Sequence, residues 1–203
     1  MPQSRRYKKK KSAGKAILAW IIVLAILAAG VFVFVSVFYE DAKKKLDEMN
    51  YPRTYSTYVE KAAKDYDLDP ALIYAVIHTE SGFDPKAESG VGAKGVMQMM
   101  PSSFEWLQEQ RGCAGQYTED DLFDPEICID YGSYLLKYFY DYYGTERSAI
   151  AAYNAGFVVS DWLNDTNYSS DGKNLDSIPY PETKNYVDKV ESAKEMYLSL
   201  IHI

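Results

Sequence analysis

The chain has 203 residues, a formal net charge of −7, 47% hydrophobic and 25% charged residues, and two cysteines. That length allows one domain plus an appendage. The acidity argues against a nucleic-acid-binding protein, and two cysteines are too few for a disulfide-built scaffold.

The first 15 residues hold Arg5, Arg6, Lys8, Lys9, Lys10, Lys11 and Lys15 and no acid. Ala16 to Phe38 is an uncharged, mostly apolar run of 23 residues. At about 1.5 Å per residue it reaches roughly 34 Å, enough to cross a hydrocarbon core of about 30 Å with some tilt. The positive-inside rule puts residues 1–15 in the cytoplasm as a basic tail, 16–38 through the cell membrane, and the rest outside the cytoplasm. Lys43, Lys44 and Lys45 oppose that orientation, but the basic count favours the N-terminal side. A cleaved leader is the rival reading, since Ala28-Ala29-Gly30 offers small residues to a peptidase. The apolar run continues to Phe38, which favours an uncleaved anchor. All 29 Asp and Glu follow residue 38. The basic tail therefore reads as a topology signal and the remainder as an acidic, soluble part.

Residues 39–53 read as a short helical stalk or linker, and 54–203 as one helical domain. Ser56 or Thr57 is expected to cap a helix running to about Asp67. Asp69-Pro70 is a strong helix start. Leu72, Ile73, Val76 and Ile77 follow at helical spacing, and Glu80 falls on the same stripe. Gly82 and Pro85 stop the helix. Ser102 and Ser103 precede a further helix ending at Gly112. Asp124-Pro125 opens a long one to about Gly144, with Ile127, Tyr131, Tyr134, Leu135, Tyr138 and Tyr142 at helical spacings. Helices over 146–155, 158–164 and 181–202 complete the pattern, with a polar loop over 164–177. No alternating strand pattern of any length is present, so the fold class is predominantly all-α.

Glu80 is the anomaly. A carboxylate in an apolar row at a helix end is disfavoured as an ion, so its pKa should rise. That is how a glutamate becomes a general acid near neutral pH. The competing reading is a helix-end carboxylate swung out to solvent. Asp84 reads as a turn residue and Glu88 as solvated. Cys113 and Cys128 are either a disulfide, contributing about 3 kcal/mol in the chain-entropy model, or two separate thiols. His78 and His202 are the only histidines. Neither has metal-ligand spacing with the cysteines, so no metal site is expected.

Three motifs appear in order. Glu80-Ser81, Pro85, Ser89 and Gly92-Ala93-x-Gly95-x-Met97-Gln98-x-Met100-Pro101 form the first. Ala152-Tyr153-Asn154-Ala155-Gly156 is the second. Pro181-Glu182-Thr183, followed by Tyr186-Val187, is the third. Together they resemble the signature of soluble lytic transglycosylases, lysozyme-like enzymes that cleave peptidoglycan. Val96 departs from the leucine common in the family.

The resemblance implies a lysozyme-like helical catalytic domain, peptidoglycan glycan strands as partner, and no cofactor. It implies Glu80 as the catalytic group. Ser89 would lie near the sugar undergoing ring closure. Met97 and Gln98 would line the cleft, Gln98 as a sugar hydrogen-bonder. Tyr153 would sit beside the acid and Asn154 at the N-acetyl group. Ser81, Glu182 and Tyr186 would stand one layer behind, Glu182 near Tyr153. Two other functions compete: a muramidase hydrolysing the same bond, and a wall-binding protein that keeps only the scaffold. Taken without the resemblance, Met97, Met99 and Met100 read as core, and Asn154-Ala155-Gly156 as a helix C-terminus.

Overall fold

The computed structural model describes residues 4–201; residues 1–3 of the basic tail, and His202 at the expected end of the last helix, lie outside it. The chain divides into two compact units, residues 1–50 and 51–203.

The first unit is one helix, α1, Ser4–Asn50. It includes a stretch long and apolar enough to cross a membrane, none of it buried by protein. Ile17, Leu24, Phe32 and Phe38 are each more than half exposed. The helix runs unbroken through the region expected as a stalk or linker, so the helical alternative holds up to Asn50.

The second unit is built from α2 (Ser56–Tyr66), α3 (Pro70–Ser81), α4 (Pro101–Gln110), α5 (Pro125–Tyr143), α6 (Glu146–Ala155), α7 (Val159–Leu163) and α8 (Pro181–Ile201). Short 3₁₀ turns cover 119–123 and 156–158. β-Structure among the described residues amounts to isolated bridges, Glu88 with Lys94 and Lys94 with Met99. The all-α expectation therefore stands.

The Asp-Pro starts behave as their chemistry predicts. Asp69 accepts the Ala71 N–H and Asp124 the Glu126 N–H, each at 2.8 Å, with proline at the first helical position. Two expected caps are corrected. Tyr55, in left-handed geometry and without a side-chain bond, precedes α2 in place of Ser56 or Thr57. α4 begins at Pro101, so Ser102 and Ser103 fall inside its first turn. Proline fixes the helical φ and needs no donor there, which moves the start forward.

Helix α3 is the centre of the domain. Every residue from Ala71 to Ile77 is buried, so the apolar stripe extends round the whole helix. α8 packs along it antiparallel, carrying Tyr186, Val187, Val190 and Tyr197 inward. Helices α2, α5 and α6 close the rest.

Both cysteines are free. Cys113 Sγ lies 3.3 Å from the Tyr131 hydroxyl. Cys128 is fully buried, takes the Met97 N–H at 3.4 Å, and has its thiol pushed up to about 12 by burial. Of the two cysteine readings, the structure has separate thiols.

Candidate active site

The last turn of α3 presents Glu80 at the edge of the core. Its backbone belongs to the most buried helix of the domain, while its side chain is only partly covered. Burial pushes the carboxyl up to about 7. The Tyr186 hydroxyl is near enough to draw it back down, yet that buried hydroxyl completes no hydrogen bond. Tyr153 and Tyr186 are themselves held well above the usual phenol range, first by burial and then by the nearby Glu80 charge. Glu80 thus sits among tyrosines from α6 and α8, and the solvent-directed reading of its side chain is set aside. Among the described residues no second carboxylate contributes to that shift.

The helix end is fastened to the loop that follows it. Ser81 Oγ donates to the Val96 carbonyl at 2.8 Å and accepts the Phe83 N–H at 3.1 Å. Gly82 caps α3 in left-handed geometry. Asp84 accepts the Lys86 N–H at 2.9 Å, the turn role expected of it.

The loop over 85–100 folds on itself through short links. Ser89 N–H donates to the Ala93 carbonyl, and Ala93 N–H returns to Ser89 Oγ, both at 2.9 Å. The Ser89 hydroxyl proton stays free to donate. Lys94 and Met99 exchange two backbone bonds of 3.0 Å. Gly95 has φ +75°, and a Cβ there would stand 2.0 Å from the Leu122 carbonyl oxygen, so no side chain fits. Lys94 is buried and reaches Glu119 and Asp120 at 3.0 Å, which anchors the loop to the 3₁₀ turn.

One of the two expected cleft residues, Met97, is corrected here, and the reach of the other, Gln98, is narrowed. Met97 is fully buried, with its sulfur and methyl group against Gly132. Its side chain is core, as methionine alone suggests, and the atom it offers to the site is its carbonyl. Tyr153 donates to that carbonyl at 2.9 Å. Gln98 adopts φ +47° and donates its amide nitrogen to the Ala87 and Gly95 carbonyls at 3.1 and 3.0 Å. Both acceptors are carbonyls, which fixes the amide orientation. Only Oε1 of Gln98 remains for a ligand.

Asn154 follows Tyr153 at the end of α6 and is exposed. Thr183 Oγ1 donates to Asn154 Oδ1 at 2.8 Å, leaving the amide nitrogen as a free donor. Glu182, expected beside Tyr153, is exposed in the first turn of α8 and makes no side-chain hydrogen bond among the described residues. An acid in that turn suits the helix dipole. Its neighbour Thr183, inside the same motif, is the one that reaches α6, at Asn154 and not at Tyr153. A cavity of about 470 Å³ that Glu80 does not line is bounded by Tyr51, His78, Thr79, Lys189 and Ser192 among others.

A half-buried glutamate ending a buried central helix, faced by tyrosines and flanked by a glycine-bearing loop, defines a lysozyme-like helical domain. The chain belongs to the Transglycosylase SLT domain family, whose model matches residues 57–175. Soluble lytic murein transglycosylase of Escherichia coli (strain K12) is 32% identical over 146 residues, 70% of this chain and 23% of that protein. Membrane-bound lytic murein transglycosylase C of Actinobacillus succinogenes is 30% identical over 167 residues, 71% of this chain and 47% of that one. Among solved structures, an inactive Glu-to-Gln mutant of lytic transglycosylase Slt from Pseudomonas aeruginosa superposes with a TM-score of 0.67 at 30% identity. It covers 76% of this chain and 25% of that one. The chain therefore spans less than half the length of either relative.

Proposed function

We propose that this chain is a peptidoglycan lytic transglycosylase held at the cell membrane by α1, with residues 1–15 in the cytoplasm and the second unit outside it. The reading extends what the relatives' names state of them to this chain. The basic tail, the exposed apolar length of α1 and the membrane-bound relative support the anchoring part.

The chemistry begins with Glu80 protonated. It gives its proton to the oxygen joining N-acetylmuramic acid to N-acetylglucosamine, and the bond to the muramic C1 breaks. Positive charge then develops on C1 and the ring oxygen. The Glu80 carboxylate next takes the proton of the muramic C6 hydroxyl as that oxygen bonds to C1. A 1,6-anhydro ring closes, no water is consumed, and Glu80 ends protonated as it began. The nucleophile is part of the substrate, so proximity replaces a second carboxylate.

The other side chains serve positioning. Tyr153 braces the Met97 carbonyl and shields Glu80 from water. Asn154, oriented by Thr183, offers its N–H to an N-acetyl carbonyl. Ser89 offers a hydroxyl proton beside the reacting sugar, and Gln98 offers Oε1. Ser81 holds the Glu80 turn against Val96.

One arrangement carries the reading: Glu80 is half-buried among Tyr153 and Tyr186, which lifts its carboxyl to about 7, and no other carboxylate among the described residues contributes to that shift. A hydrolase of this bond ordinarily uses two. The candidates nearest in sequence, Asp84 and Glu88, are exposed. Replacement of Glu80 by Gln is the test. Loss of glycan cleavage with a folded, cooperatively melting protein is expected; retained cleavage removes the general-acid assignment.

A further inference from the structure

Four aromatic side chains gather where α4, α5 and the turn after α6 meet. Trp106 meets Tyr138 edge-on at 5.0 Å. Phe157 lies 6.2 Å from Tyr138 and 5.7 Å from Tyr142. Tyr138 and Tyr142 stack at 6.3 Å, one helical turn apart on α5. Phe157 is 49% exposed and Tyr142 58%. Two large rings left open to solvent on a cluster of this kind mark an interaction surface.

Chain connectivity keeps the cluster near the candidate site. Phe157 lies three residues beyond Asn154, within about 11 Å of backbone. α4, which carries Trp106, starts at Pro101, just past the Met97 carbonyl that Tyr153 holds. Both segments lead from that hydrogen bond to the rings.

The chemistry selects the occupant. The Trp106 indole N–H and the Tyr138 and Tyr142 hydroxyls have no protein partner among the described residues, whereas Tyr143 is tied inward to Ser160. Rings with free polar tips suit sugars, which present apolar C–H faces edged by hydroxyls. A purely apolar protein face would leave those tips unpaired. Glu105 and Glu109 flank Trp106 in sequence, and Asp141 beside Tyr142 is paired with Lys137 at 2.7 Å, so the flanking charge is net negative, which disfavours an anionic lipid surface.

We propose that Trp106, Tyr138, Tyr142 and Phe157 form a platform on which an N-acetylated glycan strand rests beyond the point of cleavage. The proposal rests on the glycan reading of the Glu80 site. It makes the enzyme a gripper of long strands, with sugars remote from the reacting bond contributing affinity.

The test uses the full chain in detergent micelles, carrying Glu80→Gln to prevent turnover. Its probes are β-1,4-linked N-acetylglucosamine trimer and hexamer, titrated calorimetrically. The hexamer should bind about tenfold more tightly than the trimer, a difference that Tyr142→Ala and Phe157→Ala each reduce and Phe157→Trp preserves. Should an alanine variant melt early, Phe157→Leu keeps apolar bulk while removing the ring, and it should lose the hexamer advantage too. Equal hexamer binding in all variants overturns the platform and leaves the Glu80 site standing. Binding of neither probe removes both readings together. A detergent-soluble dimer that Phe157→Leu dissolves, with hexamer affinity unchanged, assigns the rings to a second copy and also overturns the proposal.

Discussion

The Tyr153 hydroxyl donates to the Met97 carbonyl at 2.9 Å across 56 residues of sequence. That bond joins the second motif to the first. It closes one side of the space around Glu80 and pins the loop whose side chain at Met97 faces the core. Replacing Tyr153 with Phe leaves the Met97 carbonyl without its partner. A loss of about 1–3 kcal/mol in unfolding free energy is expected, because a buried acceptor is orphaned. Turnover should fall as well, since the loop loses its brace. Denaturant unfolding alongside a glycan-release assay checks both, and Tyr153→Phe matching the parent in each would deny the bond its role.

In the proposed mechanism Glu80 links activity to stability through pH. Its folded pKa, about 7, stands above the unfolded value of 4.5. The folded state therefore holds more protons than the unfolded one between those values. The stability this gives is complete below 4.5 and is lost as pH rises through 7. Glu80→Gln cannot ionise, so it should be more stable than the parent at pH 8 by roughly 1–2 kcal/mol, discounted for partial exposure. The two should converge near pH 4. Parallel melting curves at both pH values measure this, and a variant less stable at pH 8 would contradict the burial argument. In the parent, kcat/KM should decline as pH passes about 7, where the proton donor is lost.

The Thr183 to Asn154 bond predicts a split between fold and function. Thr183→Val keeps the shape and removes the donor that orients the amide. Asn154 is exposed, so water can replace the lost bond and stability should change by under about 1 kcal/mol. The amide is then free to turn, and turnover should fall by up to about a hundredfold. Thr183→Ser should restore most of it. Turnover unchanged in the valine variant would separate Asn154 from the reaction.

Gly95 and Met97 test the packing under the loop. Gly95→Ala places a Cβ on the Leu122 carbonyl in a left-handed backbone, and a cost above about 1–3 kcal/mol is expected. Met97→Ala opens a hole against Gly132 and should cost about 2–5 kcal/mol. Urea midpoints measure both. Retained stability with weakened glycan binding in Met97→Ala would return that side chain to the cleft.

These relationships divide by how they were written in the sequence. Helix α3 was readable because Asp69-Pro70 and Gly82 bound it and its apolar residues repeat at helical spacing. Glu80 stood out because a carboxylate broke that pattern. The loop side chains were not readable in the same way. No period governs where they point, so Met97 looked like a cleft residue on family resemblance while its own hydrophobicity, pointing inward, was the better guide. Gln98 adopts a left-handed backbone that turns its amide onto Ala87 and Gly95, which no spacing announces. Glu182 and Thr183 are adjacent on a helix, so about 100° of rotation decided which one faced α6. Cys113 and Cys128 were ambiguous because pairing depends on three-dimensional geometry alone. A signal for Lys94 did exist: a cation set directly before Gly95 in the loop, with Glu119 and Asp120 downstream to receive it.

The most direct measurement is digestion of purified peptidoglycan by the full chain in ¹⁸O-labelled water, with mass analysis of the released sugars. The account predicts 1,6-anhydro muramic ends carrying no label. Reducing ends bearing one ¹⁸O would show water as the nucleophile, and Glu80 would then be working as the acid of a hydrolase.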